Sequence, residues 1–208
     1  VNAKNFYEAE RRANNIEQDI GVPVAEKTNV YYLENVTLKL EVSRHKDRDT
    51  TVIGRVAMMS DLENHAEIVS GKWYSDERND GYVEAIISEH MMVNQSLVIG
   101  DKLESTRIKD KNGDPIKIEV VGVFKNTSDE DIYWVQPPSY YASEFFISED
   151  LFYDEYMNQN PDEQQHIVFG IWYTILDTAK MDISDVENAV AFVKNQTLFF
   201  KDAQNSSY

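Results

Sequence analysis

The first stretch of the chain has apolar residues at steps of three and four positions, which is the spacing of one face of an α-helix. Charged residues fill the positions between them. Gly21 follows the last apolar residue, and Pro23 prevents the helix from continuing. The pattern predicts an amphipathic helix that packs on a sheet and ends before Pro23. Its apolar stripe consists of Phe6, Ala9, Ala13, Ile16 and Ile20.

Alternating apolar and polar residues then predict strands. Residues 29–42 alternate in this way on both sides of a turn at Glu34 and Asn35, and residues 51–59 are rich in β-branched side chains. The charged residues 43–50 between them are predicted to form a hairpin loop. Residues 60–65 are predicted to form a turn or a short helix.

Three glycine-centred phrases mark the middle of the chain: VSGKW at 69–73, VIGD at 98–101 and VVGVF at 120–124. Gly71, Gly100 and Gly122 are predicted to supply turns, bulges or close approaches between backbones. Strands are predicted at 82–87, 101–108, 116–124 and 140–147, with a hairpin turn across Asn112 and Gly113. Ser88 is a predicted N-cap, and residues 126–139 are predicted to be a long surface loop.

The last part of the chain carries a strongly apolar strand at 166–176 and a second helix. Ser184 and Glu187 have the spacing of a capping box, which predicts the start of that helix. We expect the helix to bury Ile183, Val186, Val190 and Val193, which recur at steps of three and four.

Both chain ends thus combine helix with strand, whereas the middle is β-rich. This order predicts an α+β fold with two lobes. One lobe is formed by residues 1–59 and 160–208, and a small β-rich lobe of residues 60–159 is inserted into it. Because the chain starts at Val1 and lacks an initiator methionine, we expect it to be part of a longer protein.

The composition of the chain excludes several classes of partner and of chemical site. The 37 acidic residues exceed the 20 basic ones and give a net charge of −17, which disfavours nucleic acid and anionic lipid as partners. The absence of cysteine excludes disulfides, thiol catalysis and cysteine-based zinc sites. No apolar run approaches the roughly 20 residues of a membrane-spanning helix.

The search for chemistry finds no catalytic pattern. The four histidines, His45, His65, His90 and His166, are scattered, and the sequence lacks a zinc-protease motif, a nucleophile elbow and a nucleotide-binding P-loop. The acidic turn at 110–114 lacks the spacing of a calcium-binding loop. We therefore expect no catalytic residues, no metal and no cofactor.

The loop at 126–139 and the residue after it are the predicted contact surface for a partner. Acidic residues there stand beside aromatic ones, a combination found at protein interfaces. A solvated acidic loop and core aromatics are the simpler interpretations of the same residues. The predicted contact residues are Asp129, Asp131, Tyr133, Trp134 and Tyr140.

The ordered glycine phrases, together with the EAIISE segment at 84–89, resemble the extracytoplasmic domain of MacB/FtsX-type ABC transporter permeases. The resemblance covers about half of the chain, and Lys72 stands where that family usually has arginine. It implies a porter-like α/β lobe with the β-rich lobe inserted. It also implies a domain set between two membrane helices, on the outer side of a bacterial cell membrane.

The resemblance further implies a non-catalytic role. The domain would couple ATP-driven motion, generated by an ATP-binding subunit that it does not contact, to an extracellular substrate or protein partner. The alternative is a secreted or surface-anchored module that binds a peptide, a glycan or a metal at residues 129–141.

Overall fold

A computed structural model of the chain describes residues 3–41, 51–157 and 166–205. The predicted loop at 43–50 therefore lies outside the described residues. The helices are α1 (Ala3–Asn14), α2 (Ile16–Ile20), α3 (Leu62–His65), α4 (Glu89–Gln95), α5 (Glu149–Phe152) and α6 (Ile183–Asn205). The strands are β1 (Val24–Leu33), β2 (Val36–Leu40), β3 (Thr51–Met59), β4 (Ala66–Gly71), β5 (Val83–Ser88), β6 (Lys102–Lys109), β7 (Pro115–Asn126), β8 (Glu144–Phe146) and β9 (Val168–Leu176).

The described strands form one mixed sheet in the order β2-β6-β7-β5-β8-β3-β1-β9. The pairs β5–β7 and β3–β8 are parallel, and the other pairs in this order are antiparallel. Because β2 also pairs with β3, the pairings run in a closed circuit through β2, β6, β7, β5, β8 and β3. The strand β4 pairs with β7 beside β6.

The predicted α+β class is confirmed by this combination of a large mixed sheet with helices. The division into lobes stays a prediction. Strands from both predicted parts share the circuit, since β2 pairs with β6 and β3 pairs with β8. In the part of the chain that the structure describes, no helix is both long enough and apolar enough to cross a membrane.

The circuit forms around buried aliphatic side chains. All six residues of β5 are buried, and Ile116, Ile118 and Val120 of β7 are fully buried. A row of buried residues at alternate positions is what a strand with one face on a core produces. The predicted hairpin across Asn112 and Gly113 is present as β6 and β7, which pair in antiparallel register.

The predicted first helix is two helices, α1 and α2, which are separated at Asn15, and the predicted apolar stripe is buried at Phe6, Ala9 and Ile20. Phe6 is buried and lies 4.8 Å from the ring of Tyr31 on β1 and 5.2 Å from that of Trp172 on β9. Glu10 on the same helix accepts hydrogen bonds from the hydroxyls of Tyr31 and Tyr153, each 2.7 Å long. The helix is therefore held both by aromatic packing and by a polar tie.

The prediction for the face of α6 is wrong. Ile183, Val186, Val190 and Val193 are 92%, 49%, 48% and 62% exposed. The half-buried residues of the helix lie on a neighbouring face and include Phe192 and Phe199. The helix also begins at Ile183, one residue before the predicted capping box, and the Asp185 carboxylate accepts a hydrogen bond from the backbone N–H of Asp182.

Helices α1 and α2 run antiparallel to α6. Near the start of α6, the side-chain amide of Asn188 donates to the carbonyl of Ile20 at the end of α2. Nearer the end of α6, the guanidinium of Arg12 lies 4.4 Å from the ring centre of Phe199. The beginning of α1 and the end of α6 therefore point to the same end of the molecule.

A pair of isoleucine substitutions tests this packing. We expect Ile118→Ala to lower the free energy of unfolding by about 2–5 kcal/mol, because Ile118 is fully buried. We expect Ile183→Ala to change it by less than about 0.5 kcal/mol, because Ile183 is 92% exposed. Urea denaturation of both variants measures the difference. Similar losses for the two would mean that α6 buries its apolar stripe after all.

Candidate partner-binding site

The three glycine phrases meet at one place in the fold. Gly71 at the end of β4 is in register with Gly122 on β7, and the backbone N–H of Gly100 donates to the carbonyl of Val120. A Cβ atom on Gly71 would lie 2.1 Å from the carbonyl oxygen of Val121, and one on Gly122 would lie 2.2 Å from that of Lys72. Only glycine fits at either position, because any Cβ would overlap a backbone atom.

Polar side chains reinforce this junction. The ammonium of Lys72 lies 2.8 Å from both carboxylate oxygens of the buried Glu84 on β5. The carboxylate of Asp101 accepts a hydrogen bond from the backbone N–H of Val98, 2.8 Å away. The phrases thus tie β4, β5 and β7 together.

The predicted contact residues have different environments. The prediction that Tyr133 is exposed is wrong, because its side chain is fully buried. Its hydroxyl donates to the carbonyl of Ser60, and its own carbonyl accepts from the hydroxyl of Thr28, each at 2.6 Å. Flanking acids and prolines suggested a surface position, but these two hydrogen bonds hold the residue in the core.

Asp131 anchors the loop and is only partly exposed. Its carboxylate lies 2.7 Å from Nδ1 of His65, whose ring stacks on Tyr133 at 3.7 Å. Partial burial raises the pKa of Asp131, but hydrogen bonds from His65 and the backbone of Tyr133 outweigh that effect and leave the pKa below its usual 3.8. The role of Asp131 in this structure is therefore to hold the loop onto α3.

Trp134 is half-buried, whereas Asp129 and Tyr140 are exposed. The indole of Trp134 stacks parallel to the ring of Phe124, with 6.2 Å between centres, and meets Tyr133 and Tyr141 at steeper angles. Tyr140 is 68% exposed. Of the five predicted contact residues, Asp129 and Tyr140 present the most surface to a partner.

A groove lies beside these two residues, between α4, the end of β7 and residues 137–139. It encloses about 550 Å³, which is within the range of ligand-binding clefts. Sequence reasoning missed the α4 side of it, because no motif distinguishes that helix. The lining residues are Ser88, Glu89, His90, Val93, Phe124, Lys125, Asn126, Asp129, Pro137, Pro138 and Ser139.

The walls of the groove are held together at Ser88. Its hydroxyl donates to the carbonyl of Tyr141 at 2.6 Å and accepts from the backbone N–H of Met91 at 3.0 Å, which caps α4. Within residues 3–41, 51–157 and 166–205, no three histidine or carboxylate side chains are arranged to hold a metal. The groove offers contact surface, hydrogen-bonding groups and charge.

No family model matches the chain, and no curated protein matches it. Among solved structures, the chain is similar to a domain described as belonging to a permease protein of Porphyromonas gingivalis. The two share 15% sequence identity and a TM-score of 0.38, over 84% of this chain and 71% of the other.

Two glycine substitutions test the junction. Gly71 and Gly81 both have a positive φ, of 81° and 84°, but only Gly71 has atoms crowded against it. Both alanine variants carry the same backbone strain, so we expect Gly71→Ala to cost about 1–3 kcal/mol more than Gly81→Ala because of the added overlap. Thermal or urea unfolding measures the difference. Equal losses would show that the junction is not crowded.

Asp131→Asn tests the loop anchor. The folded-state pKa of Asp131 is below its unfolded value, so its contribution to stability is complete at neutral pH and is lost as the pH falls through the folded pKa. We expect the variant to be about 1–3 kcal/mol less stable than the wild type at neutral pH. The difference in the free energy of unfolding between the wild type and the variant should shrink below pH 3.8.

Urea denaturation across that pH range gives the two curves. Asp129→Asn is the matched control, because Asp129 is exposed and has no contact with His65 among the described residues. A stability loss for Asp131→Asn that is independent of pH would contradict the role of the Asp131 carboxylate as the loop anchor.

Proposed function

We propose that the chain is the extracytoplasmic domain of an ABC transporter permease of the MacB/FtsX type. In this proposal it catalyses no reaction. It passes the ATP-driven movement of the membrane helices to a substrate or partner protein outside the cell. The observation that carries the proposal is the meeting of the three glycine phrases at one junction of β4, β5 and β7.

The junction supports the proposal because the phrases are separated by about 20 to 30 residues along the chain. Each phrase is common in unrelated proteins when taken alone. Their backbones nevertheless contact one another: Lys72 donates its N–H to Val121, and Gly100 donates to Val120. An ordered set of phrases that folds into one unit is more specific evidence than three separate turns.

The direction of the helices also supports it. A domain set between two membrane helices needs its first and last segments to leave on the same side. The beginning of α1 and the end of α6 do so, because the two helices are antiparallel. In the proposed arrangement this end faces the membrane.

Movement of that end would reach the groove through connected structure. Phe6 fixes α1 to Tyr31 on β1 and Trp172 on β9. Strand β1 carries Thr28, which donates to the carbonyl of Tyr133 in the loop beside the groove. Because the strands and the loop share these bonds, a displacement of α1 moves the groove with it.

The remaining parts of the proposal follow from the same assignment. ATP hydrolysis belongs to a separate ATP-binding subunit or domain, since the sequence lacks a P-loop. The location is the outer side of a bacterial cell membrane.

The second candidate function is a secreted or surface-anchored binding module. The groove beside Asp129 supports this second candidate as well as the first, because a binding groove works without attachment to a membrane.

Cysteine labelling in the full-length protein separates the two functions. The chain contains no cysteine, so a comparison of the full-length protein with and without the introduced cysteine assigns the label to that thiol. We expect Asn112→Cys, on the exposed turn between β6 and β7, to react with a membrane-impermeant maleimide on intact cells. The labelled protein should sediment with the membrane fraction.

Ala57→Cys is the control, because Ala57 is fully buried and should react only after denaturation. If Asn112→Cys is labelled only after the cells are broken open, the proposed extracytoplasmic location is contradicted. Recovery of the labelled protein in the medium would instead support the secreted module.

A further inference from the structure

We propose that the groove between α4 and residues 137–139 binds a cationic segment of a partner protein, anchored by an apolar side chain. This inference rests on the proposed function, in which a partner outside the cell engages the domain. It goes further in naming the chemistry of the partner. The argument depends on exposed apolar residues, on uncompensated charge and on the fixed shape of the groove.

The apolar anchor is provided by both walls. Val93 on α4 is 70% exposed, and its side chain lines the groove. Pro137 lines the same groove and is exposed, and Tyr140, three residues further on, is 68% exposed. These side chains gain from burial only if an apolar group enters the groove between them.

The charges around the anchor favour a cationic partner. Glu89 and Asp129 line the groove, and neither forms an ion pair with any residue in the described part of the chain. Lys125, the lysine of the lining, lies 3.7 Å from the carboxylate of Glu67. The local charge left to a ligand is therefore negative.

The net charge of the whole chain also favours a cationic partner. Its net charge of −17 attracts cationic partners at long range and repels acidic ones. An acidic or neutral segment would place no compensating charge beside Glu89 and Asp129. A cationic segment would pair with both carboxylates while its apolar side chain contacts Val93.

The groove is preformed. The Ser88 hydroxyl joins the start of α4 to the carbonyl of Tyr141, so both walls are tied to one buried residue. The end of β7 forms the third wall and is held by pairing with β4. A preformed groove spares a ligand the entropic cost of ordering its walls.

Three fluorescein-labelled peptides of equal length test the proposal: alternating lysine and leucine, alternating lysine and serine, and alternating glutamate and leucine. We measure their binding to the chain by fluorescence polarisation. We expect the lysine–leucine peptide to bind with a Kd at least about ten-fold lower than either of the others. Its affinity should fall as the ionic strength rises.

Variants then assign the site. Val93→Asn should weaken binding of the lysine–leucine peptide, whereas Val193→Asn should leave it unchanged, because Val193 is similarly exposed but lies on α6. The double variant Glu89→Lys with Asp129→Lys should reverse the preference towards the glutamate–leucine peptide. Circular dichroism confirms that each variant is folded.

Equal binding of the three peptides, or equal effects of Val93→Asn and Val193→Asn, overturns the proposal. These results are independent of the membrane test. If maleimide labelling fails but the peptides discriminate as expected, the groove stands as a binding site of a secreted module. If labelling succeeds but the peptides do not discriminate, the permease assignment stands without this partner.

Discussion

The close contact between the backbones at Gly71 and Gly122 is the constraint on which the rest of the structure depends. Strand β7 pairs with β6 and then β4 along one edge and with β5 along the other. The carbonyl of Lys72 lies where a side chain at position 122 would be, so β4 can approach β7 only because glycine is there. The closed circuit passes through β7 from β6 to β5, and β4 joins β7 along the edge that β6 also uses.

The loop at 126–141 is part of that framework. The buried hydroxyl and carbonyl of Tyr133 bond to Ser60 and Thr28, and Asp131 is held by His65. Buried polar groups are costly unless they are hydrogen-bonded, so these partners determine the path of the loop. Fixed in this way, the loop forms one wall of the groove.

The terminal helix shows where periodicity can mislead. Its most apolar stripe starts at Ile183 and faces solvent, whereas the face carrying Phe192 and Phe199 is half-buried. The two faces differ by one residue, or about 100° of rotation around the helix. Polar contacts select between them: Asn188 bonds to the end of α2, and the guanidinium of Arg12 lies over Phe199.

The sequence by itself determined the α+β class, the hairpin of β6 and β7 and the end of the first helical region at Gly21. These depend on local periodicity and on residues such as Pro23, whose effect on the backbone is the same in any context. The tertiary structure decided which aromatic residues are buried, which face of α6 packs and that Val93 lines a groove with Asp129. Those properties depend on contacts between residues far apart in the chain, because a side chain becomes core or surface only through the neighbours that the fold brings to it.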